Sequence, residues 1–342
     1  MGLVGGSLAV GLRQRGWFVH GDDISDERAA RAVELGVTDA VGLAADADVT
    51  FVAVPVGAVA DAVKRALTDT TGVVTDVGSV KAAVCAACPD PRFVGGHPMA
   101  GSELDGLDGA DGDMFNGAIW VLTPTPATAD TSLSTVSGVI TALGAQAVAL
   151  TPEQHDRVVA VISHVPHLTA ATLMGLAADR SEEHAALLQL AAGGFRDMTR
   201  IASGHPNIWL DICADNRHAI LGALDGLISG LTEVRGIVDA SDREALLARL
   251  TAAREARTNL PARVSHPESL AEVRIPIPDR PGAAAEVFTL AADLAVNIAN
   301  FEVVHVAEGR GVAVVLIDAS AGERFRGGLL ARGFKPAVTP LA

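Results

Sequence analysis

Positive charge is scarce in this chain. Lysine and arginine together number 26 against 41 aspartates and glutamates, giving a formal net charge of −15 at pH 7 over 342 residues. Polyanion binding relies on cations that release the counterions of phosphate. An acidic chain with no basic patch therefore excludes nucleic acid and anionic membrane surfaces as expected partners. Any anionic ligand must be held by particular arginines. Cysteine is scarce too, with three in all. Cys85 and Cys88 form a Cys-x-x-Cys, but no second pair and no spaced histidine pair accompanies them, so a zinc site is not expected. They lie one turn apart in a run that reads as helix, where two small apolar residues suffice. A reducing, cytoplasmic setting is expected. No run approaches the ~18 consecutive apolar residues of a membrane span, and the apolar N-terminus lacks the charged flank and cleavage site of a signal peptide. Tyrosine is missing and lysine occurs three times; neither absence selects a chemistry.

What is present is a globular balance, 49% hydrophobic and 20% charged, in a length that suits two to three domains. The chain opens on Gly2-Leu3-Val4-Gly5-Gly6-Ser7, which feeds a helical periodicity over residues 8–16. A strand-like run over 17–21 then leads to Asp22-Asp23. A glycine turn opening a helix, with an acidic residue some 20 positions on, is the dinucleotide fingerprint. Free amides at the helix N-terminus hold the pyrophosphate, and a carboxylate accepts the ribose hydroxyls. Gly2, Leu3, Val4, Gly5 and Asp23 are the candidate cofactor residues. Asp23, rather than an arginine, favours NAD over NADP. The pattern begins here at its second glycine, so its first strand is missing from the sequence; a misplaced start is the expected reason.

Residues 26–35, 59–67 and 80–87 read as helices. Residues 48–55, 72–76, 92–95, 118–122 and 146–150 read as buried strands. Strands of near-continuous apolar character alternating with helices imply a parallel, doubly wound sheet of Rossmann type over residues 1–150. Ligands bind beyond the carboxyl ends of such strands, so Pro55, Ser79 and His97 are expected to line one crevice. Residues 151–262 read as helix after helix, with apolar positions on more than one face, the pattern of a block that buries itself against a second copy. A linker over 263–270 leads to residues 271–342, whose βαββαβ order implies an antiparallel sheet with both helices on one face.

Three stretches carry the chemistry. Gly78-Ser79-Val80-Lys81 precedes Gly95-Gly96-His97-Pro98-Met99-Ala100-Gly101-Ser102-Glu103. Ser163-His164-Val165-Pro166-His167-Leu168 lies in the helical block. Gly193-Gly194-Phe195-Arg196-Asp197-Met198-Thr199-Arg200-Ile201-Ala202 follows, with Trp209-Leu210-Asp211-Ile212 beyond it. Glycines around a histidine let backbone approach a ligand, and imidazole accepts protons near neutral pH. On residues alone, Ser79 suits either a helix cap for residue 80 onward or a site hydroxyl. Gly193 and Gly194 suit either a close approach or the end of the preceding helix. His164 reads as a packed helix histidine. Two histidines three residues apart raise a metal, but no H-E-x-x-H arrangement accompanies them.

Together these strings resemble the prephenate and arogenate dehydrogenases of tyrosine biosynthesis. Asp279-Arg280-Pro281-Gly282 with Asn297-Ile298 makes the C-terminal segment similar to an ACT regulatory domain. The resemblance implies hydride transfer from the substrate ring to NAD with loss of the ring carboxylate as carbon dioxide. The product is 4-hydroxyphenylpyruvate from prephenate, or tyrosine from arogenate. It implies His97 as base and Ser79 beside it. It also implies Arg200, His167, Gly194 and Trp209 around the substrate, no metal, a homodimer, and a tyrosine effector at Arg280, Gly282 and Asn297. A dehydrogenase using a catalytic lysine in its helical domain is disfavoured, because residues 151–262 contain no lysine. A different class also fits the shortened glycine turn, namely an amino-acid-binding regulatory dimer with an impaired nucleotide site.

Overall fold

The computed structural model describes residues 1–101, 104, 106–181, 190–258, 270–278, 282–306 and 310–340. The chain divides into two compact units, Met1–Asn259 and Leu260–Ala342. Ser102, Glu103, Arg280, nearly all of the 263–270 linker and most of residues 182–192 lie outside the described residues.

In the first unit the glycine turn leads at once into α1 (Leu3–Gln14), earlier than the periodicity suggested. Strand β1 is confined to His20–Gly21, and Phe18 before it is solvent-exposed. Helix α2 (Asp26–Glu34) is capped by Ser25, and β2 (Ala40–Val41) pairs in parallel with β1. A separate five-stranded sheet follows in the order β3 (Val49–Val52), β4 (Val73–Asp76), β5 (Phe93–Pro98), β6 (Ile119–Thr123) and β7 (Gln146–Ala149). Helices α3 (Val59–Asp69), α4 (Ala82–Ala87) and α5 (Asp130–Ala142) cover it.

Successive strand residues point to opposite faces, and the packing follows. Phe93 joins Val63 of α3, Val84 and Cys85 of α4, and Cys88 just after it. Its neighbour Val94 joins Leu8 and Leu12 of α1, Trp120 of β6 and Ile140 of α5. Cys85 and Cys88 are thus unpaired members of the core. The sheet is not wholly parallel, as the sequence had implied: β6 runs antiparallel to β5, with His97 opposite Val121. The described residues between these strands supply a 3-10 turn at Leu107–Gly109 but no crossover helix, which a parallel connection needs.

The helical block begins with α6 (Pro152–Val159), whose N-terminus carries a reciprocal cap between Thr151 and Gln154. A π-helical segment at Ala160–His164 joins it to α7 (Val165–Ser181). Then come α8 (Gly193–Thr199), a 3-10 segment at Arg200–Ser203, α9 (Asn207–Asp215), α10 (Arg217–Asp239) and α11 (Arg243–Thr258). Gly193 and Gly194 open α8 instead of closing the preceding helix. By length and composition Pro152–Arg180 could cross a membrane, with mean hydropathy 1.4. Its polar members His155, Asp156, His164 and His167 are buried against the rest of the unit.

The second unit is an antiparallel sheet in the order β11-β8-β10-β9, formed by β8 (Leu270–Pro278), β9 (Ile298–Val306), β10 (Arg310–Asp318) and β11 (Ala337–Pro340). Helices α12 (Ala283–Asp293) and α13 (Gly322–Ala331) share one core with it, in which Val273, Ile275 and Val315 meet Val287, Phe325 and Leu329. Gly282 caps α12 at φ 89°, a left-handed conformation that favours glycine.

One buried ion pair positions the crevice. Asp76, at the end of β4, and Lys81 are both fully buried and paired. The Asp76 carboxylate also accepts the N–H of Gly78 at 2.9 Å and of Gly96 at 3.1 Å. A Cβ on Gly96 would lie 2.6 Å from the Asp76 carbonyl oxygen, so only glycine lets β5 come this close. Removing one partner of a buried pair costs about 3–5 kcal/mol, because the other charge is left uncompensated. Asp76→Ala is therefore expected to lower the urea midpoint of the first unit. Fluorescence of Trp17, Trp120 and Trp209 reads that unit alone, since the chain has three tryptophans. An unchanged midpoint would show that the pair contributes nothing to stability.

Candidate active site

The peptides fixed by Asp76 immediately precede Ser79 and His97, so one carboxylate sets the backbone at both candidate residues. His97 lies inside β5, not beyond it, and is half-buried. Its Nδ1 is 2.8 Å from Nε2 of His155 on α6, with the rings edge-on at 72°. His155 is fully buried, and its Nδ1 is 2.8 Å from the Asp156 carboxylate. That carboxylate also accepts the N–H groups of Lys81 at 2.8 Å and Ala82 at 2.9 Å. It therefore caps α4 from 74 residues away. Ser79 does not serve as the cap, because α4 starts at Ala82 and its exposed N–H groups already have a charged acceptor.

Burial pushes Asp156 upward, but hydrogen bonds from His155 and from the Ala82 and Lys81 backbone outweigh it and hold its pKa below the usual carboxylate value. Burial, and then the neighbouring His155 and Lys81, push His97 well below the ordinary histidine value. At neutral pH His97 is thus an uncharged imidazole able to accept a proton. The π-segment and α10 add a second buried pair. Asn216 Nδ2 donates to the Asp156 backbone carbonyl at 2.8 Å and lies 3.2 Å from His164 Nδ1. Burial pushes His164 down to about 4.

Farther along α7, His167 stacks on Trp209 with centroids 3.7 Å apart and 16° between planes. Burial lowers its pKa as well. The segment Arg200–Ser203 runs beside α7, and a Cβ at Gly204 would lie 3.6 Å from His167 Cε1. Arg200 is solvent-exposed on that segment, and Gly194 is exposed on α8. Beyond Pro55 the chain turns through Val56–Ala58, where Gly57 N–H lies 3.4 Å from the Asp211 carboxylate of α9. The helical block thus reaches the sheet at both the His97 and the Pro55 turns.

At the nucleotide end, Gly2 is the N-cap of α1 and offers no side-chain cap. The first helical bond runs from Gly6 to Gly2, so the N–H groups of Leu3, Val4 and Gly5 have no intrahelical partner. Gly5 brings α1 against the end of the sheet, where a Cβ would lie 3.1 Å from Ala53. Asp23 has three polar neighbours. It pairs with the Met1 amine, lies 3.6 Å from Arg28 and accepts Ser25 N–H. Its neighbour Asp22 pairs with Arg65 at 2.8 Å. Among the described residues no group of three His, Cys, Asp or Glu side chains could hold a metal ion.

His155, Asp156, Asn216 and Asp76 were absent from the candidate residues. The Thr151-x-x-Gln154 cap signals that His155 and Asp156 start a helix. Nothing in the sequence says that this helix start meets residues 81 and 97.

Residues 8–161 match the prephenate dehydrogenase nucleotide-binding domain family, and residues 151–252 the prephenate dehydrogenase dimerization domain family. The prephenate dehydrogenase of Bacillus subtilis is 32% identical over 324 residues, 90% of this chain and 87% of that protein. The crystal structure of prephenate dehydrogenase from Aquifex aeolicus with hydroxyphenyl propionate and NAD+ superimposes with a TM-score of 0.71 at 30% identity. It covers 76% of this chain and 96% of its own. Synechocystis arogenate dehydrogenase gives a TM-score of 0.67 at 29% identity over 76% and 97% of the two chains. A nucleotide-binding sheet, a helical block and a buried histidine pair where they meet agree with these likenesses, and the chain belongs to the prephenate dehydrogenase family.

Proposed function

We propose that the chain catalyses the NAD-dependent oxidative decarboxylation of prephenate to 4-hydroxyphenylpyruvate, with His97 as the base. The observation that carries this reading is the uncharged His97, held by His155 where the sheet meets the helical block. The free N–H groups of Leu3, Val4 and Gly5 suit the pyrophosphate of NAD, and Pro55 and Ser79 line the same crevice. Asp23 suits the ribose once it exchanges the Met1 amine for sugar hydroxyls. Bound NAD supplies the hydride acceptor.

The work of the protein side chains follows from charge. Loss of hydride from the carbinol carbon makes its hydroxyl strongly acidic, and His97 takes that proton. Loss of the ring carboxylate as carbon dioxide leaves its bonding pair in the ring, which becomes an aromatic phenolate, and His97 returns the proton to that oxygen. Ser79 orients the hydroxyl or the imidazole. Arg200 holds a substrate carboxylate through paired hydrogen bonds, which an acidic protein must supply locally. His167, stacked on Trp209, and Gly194 complete the substrate wall.

Two wider features belong to this reading. The helical block leaves Ile162, Leu210, Ile228 and Leu231 more than half exposed, an apolar surface suited to a second copy of the chain. The C-terminal unit is read as an ACT-like module; Arg280, Gly282 and Asn297 are its proposed effector residues, of which Gly282 precedes α12 and Asn297 follows it. Tyrosine, the end product of the route, is the proposed effector, and the cytoplasm the proposed compartment.

His97→Asn is expected to lower kcat about 10²–10⁴-fold with NAD affinity unchanged, measured by steady-state kinetics and calorimetry. Near-normal turnover would remove His97 from the base role. Because its pKa is depressed, the imidazole stays uncharged below the usual ~6.5. The acid limb of kcat/KM should therefore lie below that pH; a limb above it contradicts the assignment. Arg200→Ala should raise the KM for prephenate at least tenfold, as expected for a lost charge-assisted pair worth about 1.5–3 kcal/mol; an unchanged KM excludes it from the site. A chain ending at Asn259, the end of the first unit, should keep turnover and lose inhibition by tyrosine. Persisting inhibition would put the effector elsewhere. Assaying prephenate and arogenate side by side fixes the substrate.

A further inference from the structure

We infer that the His155–Asp156 pair is a positioning device that holds His97 in one tautomer, with its proton on Nδ1 and Nε2 left as the proton acceptor. The inference rests on the reading of His97 as the base and adds how that base is kept competent. It follows from counting donors and acceptors. The Asp156 carboxylate takes three hydrogens, from the Lys81 and Ala82 backbone and from His155 Nδ1, at 2.8–2.9 Å. An ionised carboxylate can only accept. His155 must therefore carry a proton on Nδ1, and in the inferred arrangement its Nε2 presents a lone pair. That lone pair lies 2.8 Å from His97 Nδ1, so His97 must donate there. Its other nitrogen, Nε2, is the one without a proton.

The surroundings keep this order from reversing. His155 is fully buried, so no water competes for either of its nitrogens. Asn216 donates to the Asp156 backbone carbonyl and reaches His164, which pins the turn of helix carrying the pair. The other ionisable groups acting on His97 are Lys81, already paired with Asp76, and His164. Asp156 and His155 touch no reacting atom in this scheme; they act through His97. As His97 becomes cationic, the carboxylate two hydrogen bonds away stabilises the charge.

The test separates orientation from simple support. Asp156→Asn keeps the shape but has one oxygen for three donors, so it can no longer accept from Lys81, Ala82 and His155 together, and the hold on the His155 and His97 protons is lost. Exchange of an orienting carboxylate for an amide in a nucleophile–histidine–carboxylate site costs about 10⁴ in kcat by this route. We expect a fall of about 10²–10⁴-fold here, with NAD affinity kept. In 15N spectra of the histidine-labelled, unaltered protein the His97 proton should lie on Nδ1. His155→Gln can still accept from His97 through its amide oxygen and should stay within about tenfold of the starting kcat. His155→Leu cannot accept and should fall as far as Asp156→Asn. Equal turnover of the Gln and Leu variants overturns the inference, as does a His97 proton found on Nε2 in the unaltered protein. The Gln and Leu comparison decides if loss of the α4 cap prevents Asp156→Asn from folding. If His97→Asn retains activity, the base reading fails, while the spectra still report whether the pair sets the tautomer.

Discussion

The Asp156 carboxylate is the point at which the two halves of the first unit are made into one site. It belongs to the first turn of α6, yet two of its three hydrogen bonds come from the backbone at the start of α4. A helix start carries unpaired N–H groups and a partial positive charge, so an ionised carboxylate fits it well. The third bond goes to His155 and through it to His97. One side chain thus ties the registry of the helical block on the sheet to the orientation of His97.

Asp76 performs the complementary task within the sheet. Its two oxygens hold the peptides ahead of Ser79 and His97, and the buried Lys81 balances its charge. Burying both charges is expensive, and such a pair rarely adds net stability over an apolar equivalent. What it supplies here is geometry, because its two oxygens draw the turn after β4 and the middle of β5 to one point. The closeness of β5 and β4 at Gly96 has the same origin.

Much of the fold was legible in the sequence. The alternation of apolar strands and helices located β3, β4, β6, β7, α2 and α3, because a buried strand and an amphipathic helix have different periods. The second unit was equally legible: along β8 the core-facing Val273, Ile275 and Ile277 alternate with Arg274, Pro276 and Pro278. Helix α5 had been passed over, since its Ser, Thr and Gly residues weaken the periodic signal. The antiparallel turn of β6 was missed because strand direction depends on what connects two strands, not on the strands themselves. His97, Ser79, His167 and Trp209 stand out in the sequence only through long motif strings, and the stacking of the last two has no local signal.

The sequence by itself determined which residues could be buried and which short strings carry reactive side chains. Local spacing and side-chain chemistry settle those matters within a few turns of chain. The tertiary structure alone decided that His155 stands behind His97, that Asp156 and not Ser79 caps α4, and that the Met1 amine pairs with Asp23. Each is a hydrogen bond or ion pair between groups 22 to 74 residues apart. Such a partner is chosen by the packing of whole elements, because a buried donor or acceptor must be satisfied by whatever the fold brings within reach.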